Sequence, residues 1–127
     1  MTDVTIQDKY VELLKRSGDI QQFAAGTTVF ERGDPADCMY LVSSGTVVLS
    51  IGDRVVETVE PGGLFGEMAV IDREGRSATA IAESGCELVG IDKRRFWFLV
   101  QETPYFAEIV MRAMAARIRR EDPPADD

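Results

Sequence analysis

Between Phe23 and Asp92 the chain is cut into short β-rich runs by turn chemistry, and this limits the fold more than any other feature: TTVFE, RGDPAD, CMYLVS, SG, TVVLSI, GDR, VVETVE and PGG follow one another. Runs of this length, rich in β-branched and aromatic residues and stopped by glycine, proline and aspartate, form strands that reverse direction every few residues. In one run Val47, Leu49 and Ile51 alternate with Thr46, Val48 and Ser50, the period-two pattern of a strand with one face buried. After Arg76 two more runs, SATAIA and CELVGI, flank the polar turn ESG. Short strands at this spacing close into a sandwich or roll, with Gly33 and Gly45 as turn residues.

Helices flank this region. From Thr5 to Arg16, Ile6, Tyr10, Leu13 and Leu14 recur at helical spacing, with Thr5 placed to cap and Gly18 to stop the helix. Asp92 is placed to cap a helix through KRRFWFLVQE, in which Trp97 and Phe98 are expected to pack in the core. Thr103-Pro104 has the cap-then-proline form that opens another. Its stripe is Phe106, Ile109, Val110, Ala113, Met114, Arg117 and Ile118, and Arg117, Arg119 and Arg120 lie near its end, where cations suit the helix dipole. The acidic EDPPADD stops it and is expected to be disordered. With 127 residues and no internal repeat or linker, the expectation is one domain over 1–120 and a tail over 121–127.

Charge and residue usage narrow the function. A formal net charge of −8 repels phosphodiester backbones and anionic lipid surfaces, so an anion binds only where a local arginine or backbone N–H groups override the field. Direct DNA binding and membrane association are not expected. There is no histidine, which removes Ser-His-Asp and Cys-His catalysis and the imidazole-rich metal sites, so neither an enzyme nor a metal centre is expected. Cys38 and Cys86 sit in apolar stretches and read as buried reduced thiols, and the first residues lack a signal-peptide pattern. A cytoplasmic location follows as an expectation.

The chemistry concentrates in FGEMAVIDREGRSATA, residues 65–80. Glycines precede a brief helical turn whose N–H groups suit an anion, and Arg76 offers parallel donors matched to two phosphate oxygens. Ser77 and Ala78 behind it are small enough for close approach, and Ser77 carries a hydroxyl donor. A carboxylate at Glu67 repels phosphate but accepts well from a sugar hydroxyl, so the pair suits a ligand with both groups, a nucleotide. On spacing alone the alternative stays open that Arg76 pairs with Glu67 or Glu74 and binds nothing. Asp72 and Glu74 read as solvated loop carboxylates.

GEMA followed by RSAT, with VFERGDPADCMYLVSSGTVVL upstream, resembles the cyclic nucleotide-binding domain found in catabolite activator proteins, protein kinase regulatory subunits and cyclic-nucleotide-gated channels. The resemblance implies a mainly β fold: an eight-stranded, jelly-roll-like β-roll (a double-stranded β-helix) with a short N-terminal helix, a cassette helix and two C-terminal helices. It implies that Gly66 and Met68 hold the ligand through backbone groups, with Ala69 also among the ligand-binding residues. Glu67 takes the ribose 2′-hydroxyl, Arg76 the cyclic phosphate, and Ser77 and Ala78 contact the phosphate. Gly75 stands where the family often has proline. The implied ligand is cyclic AMP, with cyclic GMP compatible with Ser77, and the implied role is a regulatory module that signals by moving its C-terminal helices, with Arg117 or a neighbour as the lid. Partners would be an effector protein or a second copy meeting the last helix. The alternative is a ligand-free interaction scaffold of the same fold.

Overall fold

The computed structural model describes residues 8–72 and 74–121. In chain order these form α1 (Asp8–Ser17), β1 (Asp19–Phe23), β2 (Thr28–Phe30), β3 (Cys38–Ser44), β4 (Val47–Ile51), β5 (Arg54–Val59), β6 (Leu64–Phe65), α2 (Glu67–Asp72), β7 (Thr79–Ala82), β8 (Cys86–Asp92), α3 (Lys93–Glu102) and α4 (Pro104–Glu121). Two four-stranded antiparallel sheets, ordered β1-β8-β3-β6 and β2-β7-β4-β5, make the roll. Mainly β with flanking helices is therefore the observed class, and the eight strands match the expected roll.

The two sheets are buried differently, which explains their sequences. In β4, Val47 and Leu49 face inward and alternate with half-buried Val48 and Ser50, as the period-two pattern requires. In β3, by contrast, Tyr40 and Val42 join the cluster between the sheets, while Met39 and Leu41 join a second cluster with Phe96, Leu99, Phe106, Ile109 and Val110 of the C-terminal helices. A strand covered on both faces is apolar throughout, and so CMYLVS does not alternate. The same division sends Leu64 of β6 to the helices and Phe65 to the roll.

Two strands escape sequence reading. β1 is the largely polar DIQQF, an edge strand held by its pairing with β8 from Asp19↔Gly90 to Phe23↔Cys86. β6 is two residues inside the glycine-rich PGGLFGE, paired through Tyr40↔Phe65 and Leu41↔Leu64.

The helices keep their caps but revise several side-chain expectations. The Asp92 side chain accepts from the Arg95 N–H at 2.8 Å and starts α3, and the Thr103 backbone carbonyl accepts from Phe106 N–H at 2.8 Å beside Pro104 at the start of α4. Trp97 and Phe98 are not core residues: they are 46% and 58% exposed, because Phe96 and Leu99, three apart on one face, take the buried positions. Trp97 only sets its edge against Phe96, with centroids 5.1 Å apart. Along α4, Phe106, Ile109, Val110 and Ala113 are buried as read, Met114 and Arg117 are half-buried, and Ile118 is exposed, since the fully buried stripe ends at Ala113. In α1, Leu14 is buried while Leu13 faces solvent; Thr5, Ile6 and the Tyr10 side chain lie outside the described residues. Glu121 closes α4 instead of beginning a tail, and 122–127 lie outside the described residues. Among the described residues, no helix is long and apolar enough to cross a membrane.

Glu87 fastens α1 to the roll. Its carboxylate receives Ser43 Oγ at 2.7 Å, Gln22 Nε2 at 3.0 Å and the Lys15 ammonium at 3.2 Å. The Ser43 hydrogen bond, then those of Lys15 and Gln22, hold its carboxyl below its ordinary value. A depressed carboxyl stabilises the fold in full above the unfolded value near 4.5, and this contribution is lost as pH falls through the folded value. Glu87→Gln is therefore expected to melt below wild type at neutral pH, with the gap closing below pH 4.5. A gap of constant size in melting curves across that range would contradict this.

Candidate functional site

The segment that crosses from one sheet to the other, β6 through α2 to β7, brings an acid and a base into the same interior. Gly66 turns the chain with φ 81°, and Glu67 enters as the first residue of α2 with only 1% of its surface exposed. Glycine is required there on two counts: the backbone is left-handed, and a Cβ would lie 2.7 Å from Arg76 Nη1. Gly66→Ala is expected to displace the Arg76 guanidinium, and titration with an anionic ligand of this pocket should show at least tenfold weaker binding, a loss of about 1.4 kcal/mol. Unaltered affinity would show that the close approach has no bearing on the site.

Arg76 is 5% exposed. Its backbone is fixed from outside by the β2–β3 turn, where Arg76 N–H donates to Asp34 O at 2.9 Å and Gly33 N–H donates to Arg76 O at 2.8 Å. The turn and the loop approach closely at Gly75, where a Cβ would come 3.0 Å from Gly33 O. The guanidinium lies 4.1 Å above the Phe30 ring centroid and donates to Cys38 O at 2.7 Å and Gly66 O at 3.3 Å. Its Nε is buried with no hydrogen-bond partner. So Arg76 and Glu67 are not joined to each other: Glu67 Oε2 bonds Arg117, and Glu67 Oε1 is buried with no partner. The ligand-free pairing of Arg76 with Glu67 is thus corrected, and Glu74 is exposed on the loop.

Arg117 of α4 closes the arrangement. Its Nε and Nη2 hold Glu57 side-on at 2.7 and 2.9 Å, Nη1 reaches Glu67 Oε2 at 2.6 Å, and Nη2 also donates to Leu64 O. Burial alone lowers the Arg117 pKa, but the charge of Glu67 and the hydrogen bond and charge of Glu57 outweigh it and raise the value. Arg117 therefore serves the roll interior and not the helix dipole.

These groups line one pocket together with Leu49, Val56, Met68, Ser77 and Ala78. Its enclosed part is small, about 50 Å³, and the space between the lining residues out to the mouth is about 510 Å³. Ser77 is exposed at this opening and Ala78 is buried, so of the residues read from sequence Gly66, Glu67, Met68, Arg76, Ser77 and Ala78 converge here. Ala69 lies in α2 beside them, and its side chain is outside the described set. Cys86 is buried, but Cys38 is only half-buried, with its sulfur 3.9 Å from Arg76 Nη2. Burial raises the Cys38 pKa against the opposing effects of Tyr40 and Arg76, which keeps it a thiol. Among the described residues no group of three or more histidine, cysteine, aspartate or glutamate side chains is gathered for a metal ion.

Glu57, Phe30 and the Cys38 carbonyl were missed in the sequence. Glu57 reaches the pocket through a bulge: Leu49 pairs with Glu57 and Ser50 with Val55, so Val56 is the extra residue and both Val56 and Glu57 line the site. The broken alternation of VVETVE was the available signal.

A sequence model of the family described as the cyclic nucleotide-binding domain matches residues 20–103. The cyclic AMP receptor protein of Thermus thermophilus is 33% identical over 105 residues, which cover 79% of this chain and 49% of the receptor, so the chain spans about half the length of that relative. The solved catabolite activator protein of Thermus thermophilus superposes with a TM-score of 0.79 at 30% identity, over 91% of this chain and 57% of the other. A chain from a structure of a cyclic-GMP-dependent signalling pathway in bacterial phytopathogenesis superposes with a TM-score of 0.82 at 26% identity, over 93% of this chain and 98% of the other.

Proposed function

The chain belongs to the cyclic nucleotide-binding domain family, and from that premise we propose that its pocket takes a cyclic nucleotide, with the cyclic phosphate on Arg76 and the ribose 2′-hydroxyl on Glu67. One observation carries the reading: two buried groups of opposite charge line the same pocket, and each keeps one unpartnered atom, Arg76 Nε as a donor and Glu67 Oε1 as an acceptor. Leaving such groups unsatisfied costs about 1–3 kcal/mol each, or more when charged, and a ligand that presents an anion and a hydroxyl removes both costs. Apolar Leu49 and Val56 supply the wall against which a base packs. Ser77 at the opening adds a hydroxyl toward the phosphate, compatible with cyclic AMP as the first choice and cyclic GMP as the second.

The response follows from Arg117. It joins α4 to Glu67, the residue that receives the ribose, so occupancy of the pocket bears on how α4 sits against the roll. A ligand moves that equilibrium only by its difference in affinity for the two placements of the helix. The domain acts as a regulatory module whose output is the position of α4. A cytoplasmic setting, where Cys38 and Cys86 stay reduced, fits this role.

Titration calorimetry with cyclic AMP, cyclic GMP and linear 5′-AMP tests the proposal. Saturable one-site heat is expected for a cyclic nucleotide, and weak or absent heat for 5′-AMP. No saturable heat from either cyclic nucleotide would overturn the reading.

A further inference from the structure

We propose that Glu57 is a positioning residue: by holding Arg117 side-on, it restricts that arginine to one oxygen of Glu67 and keeps the other free for the ligand's ribose hydroxyl. This deepens the cyclic nucleotide reading above and rests on it.

A guanidinium has five N–H groups in a rigid fork. In Arg117, Nε and one Nη2 hydrogen go to the two oxygens of Glu57, the other Nη2 hydrogen goes to Leu64 O, and only Nη1 is left to reach Glu67. A side-on carboxylate fixes the plane and the turn of the guanidinium, so Nη1 meets Oε2 and Oε1 remains unpartnered although Glu67 is almost wholly buried. Without the Glu57 carboxylate, Arg117 has one acid within reach instead of two. An arginine facing a single carboxylate frequently takes both of its oxygens in the parallel two-bond geometry. Oε1 would then be capped by the protein itself, and the hydroxyl would compete with an intramolecular charged bond.

Glu57 thus determines how strongly the site distinguishes a ribose from a deoxyribose. The bulge in β5 that carries Glu57 inward places this control on the sheet, in a strand outside the segment that supplies Glu67 and Arg76. A carboxylate serving only to hold α4 in place would affect every ligand of the pocket alike.

The test compares the binding of cyclic AMP and 2′-deoxy cyclic AMP to wild type and to Glu57→Gln, with thermal melting as a control for folding. Wild type is expected to prefer the ribonucleotide by about tenfold or more, the size of one hydrogen bond to a charged acceptor. In Glu57→Gln that preference is expected to fall to about twofold, chiefly through weaker ribonucleotide binding, with the deoxynucleotide affected less. Glu57→Asp, which keeps the charge but withdraws it by one methylene, should lose part of the preference and serves if the glutamine variant does not fold. A preference unchanged in both variants, with the two affinities shifting together, would overturn the inference while leaving cyclic nucleotide binding in place. Equal binding of both nucleotides by wild type, or binding of neither, would overturn the inference together with the assignment of Glu67 to the ribose.

Discussion

Arg76→Ala is expected to weaken cyclic nucleotide binding by at least about a hundredfold while the melting temperature stays within a few degrees of wild type. The affinity loss follows from two charge-assisted hydrogen bonds at about 1.5–3 kcal/mol each, made where almost no water reaches the guanidinium. Together these amount to about 3–6 kcal/mol, or two to four decades in affinity. The small stability change follows from what the arginine touches: its hydrogen bonds are to the Gly66 and Cys38 carbonyls, it lies over the Phe30 ring, and its Nε is unpartnered. A buried charge with such partners is costly to desolvate, so its removal gives back much of what it takes away. Arg76→Lys should retain part of the binding, since it keeps the charge and loses the parallel donors. Calorimetric titration and a melting curve on the same preparations check both parts. A variant that unfolds, or one that binds as wild type, would contradict the account.

Arg117→Ala should behave in the opposite way, destabilising the domain by about 3–5 kcal/mol. Arg117 is the partner of two carboxylates, and its removal leaves Glu67, 1% exposed, and Glu57, lining the same pocket, without their shared cation. Removing one member of a buried ion network is expensive because it leaves buried charge without its compensating cation. In a domain of this size such a loss lowers the melting temperature on the order of 10 °C or more. It also cuts the link between the pocket and α4, so hydrogen exchange along α4 should no longer change when nucleotide is added. A variant with wild-type melting, or one whose α4 still responds to ligand, would show that the network holds neither the fold nor the signal.

These contrasting expectations explain what was legible in the sequence. GEMA and RSAT give away Glu67 and Arg76 because their spacing is local: one short helix and one loop join them, so their convergence is written in sixteen consecutive residues. Gly66 was readable for the same reason. Glu57 and Arg117 are separated by 60 residues and meet only because β5 bulges inward and α4 crosses the roll, so no local pattern announces the pair. The fold shows the same division. Alternation identifies β4 from its own residues, whereas β1 is largely polar and is held by its pairing with β8. Trp97 and Phe98 face outward because hydrophobicity alone carries no direction: in KRRFWFLVQE the five successive apolar residues cannot all face one side of a helix, and Phe96 and Leu99 occupy the inner one.

The most direct measurement is a crystal structure grown in saturating cyclic AMP. The cyclic phosphate is expected on the Arg76 guanidinium and the 2′-hydroxyl on Glu67 Oε1, with Arg117 still bonded to Oε2. A pocket without nucleotide, in which Arg76 keeps only the Gly66 and Cys38 carbonyls and Glu67 only Arg117, would contradict it.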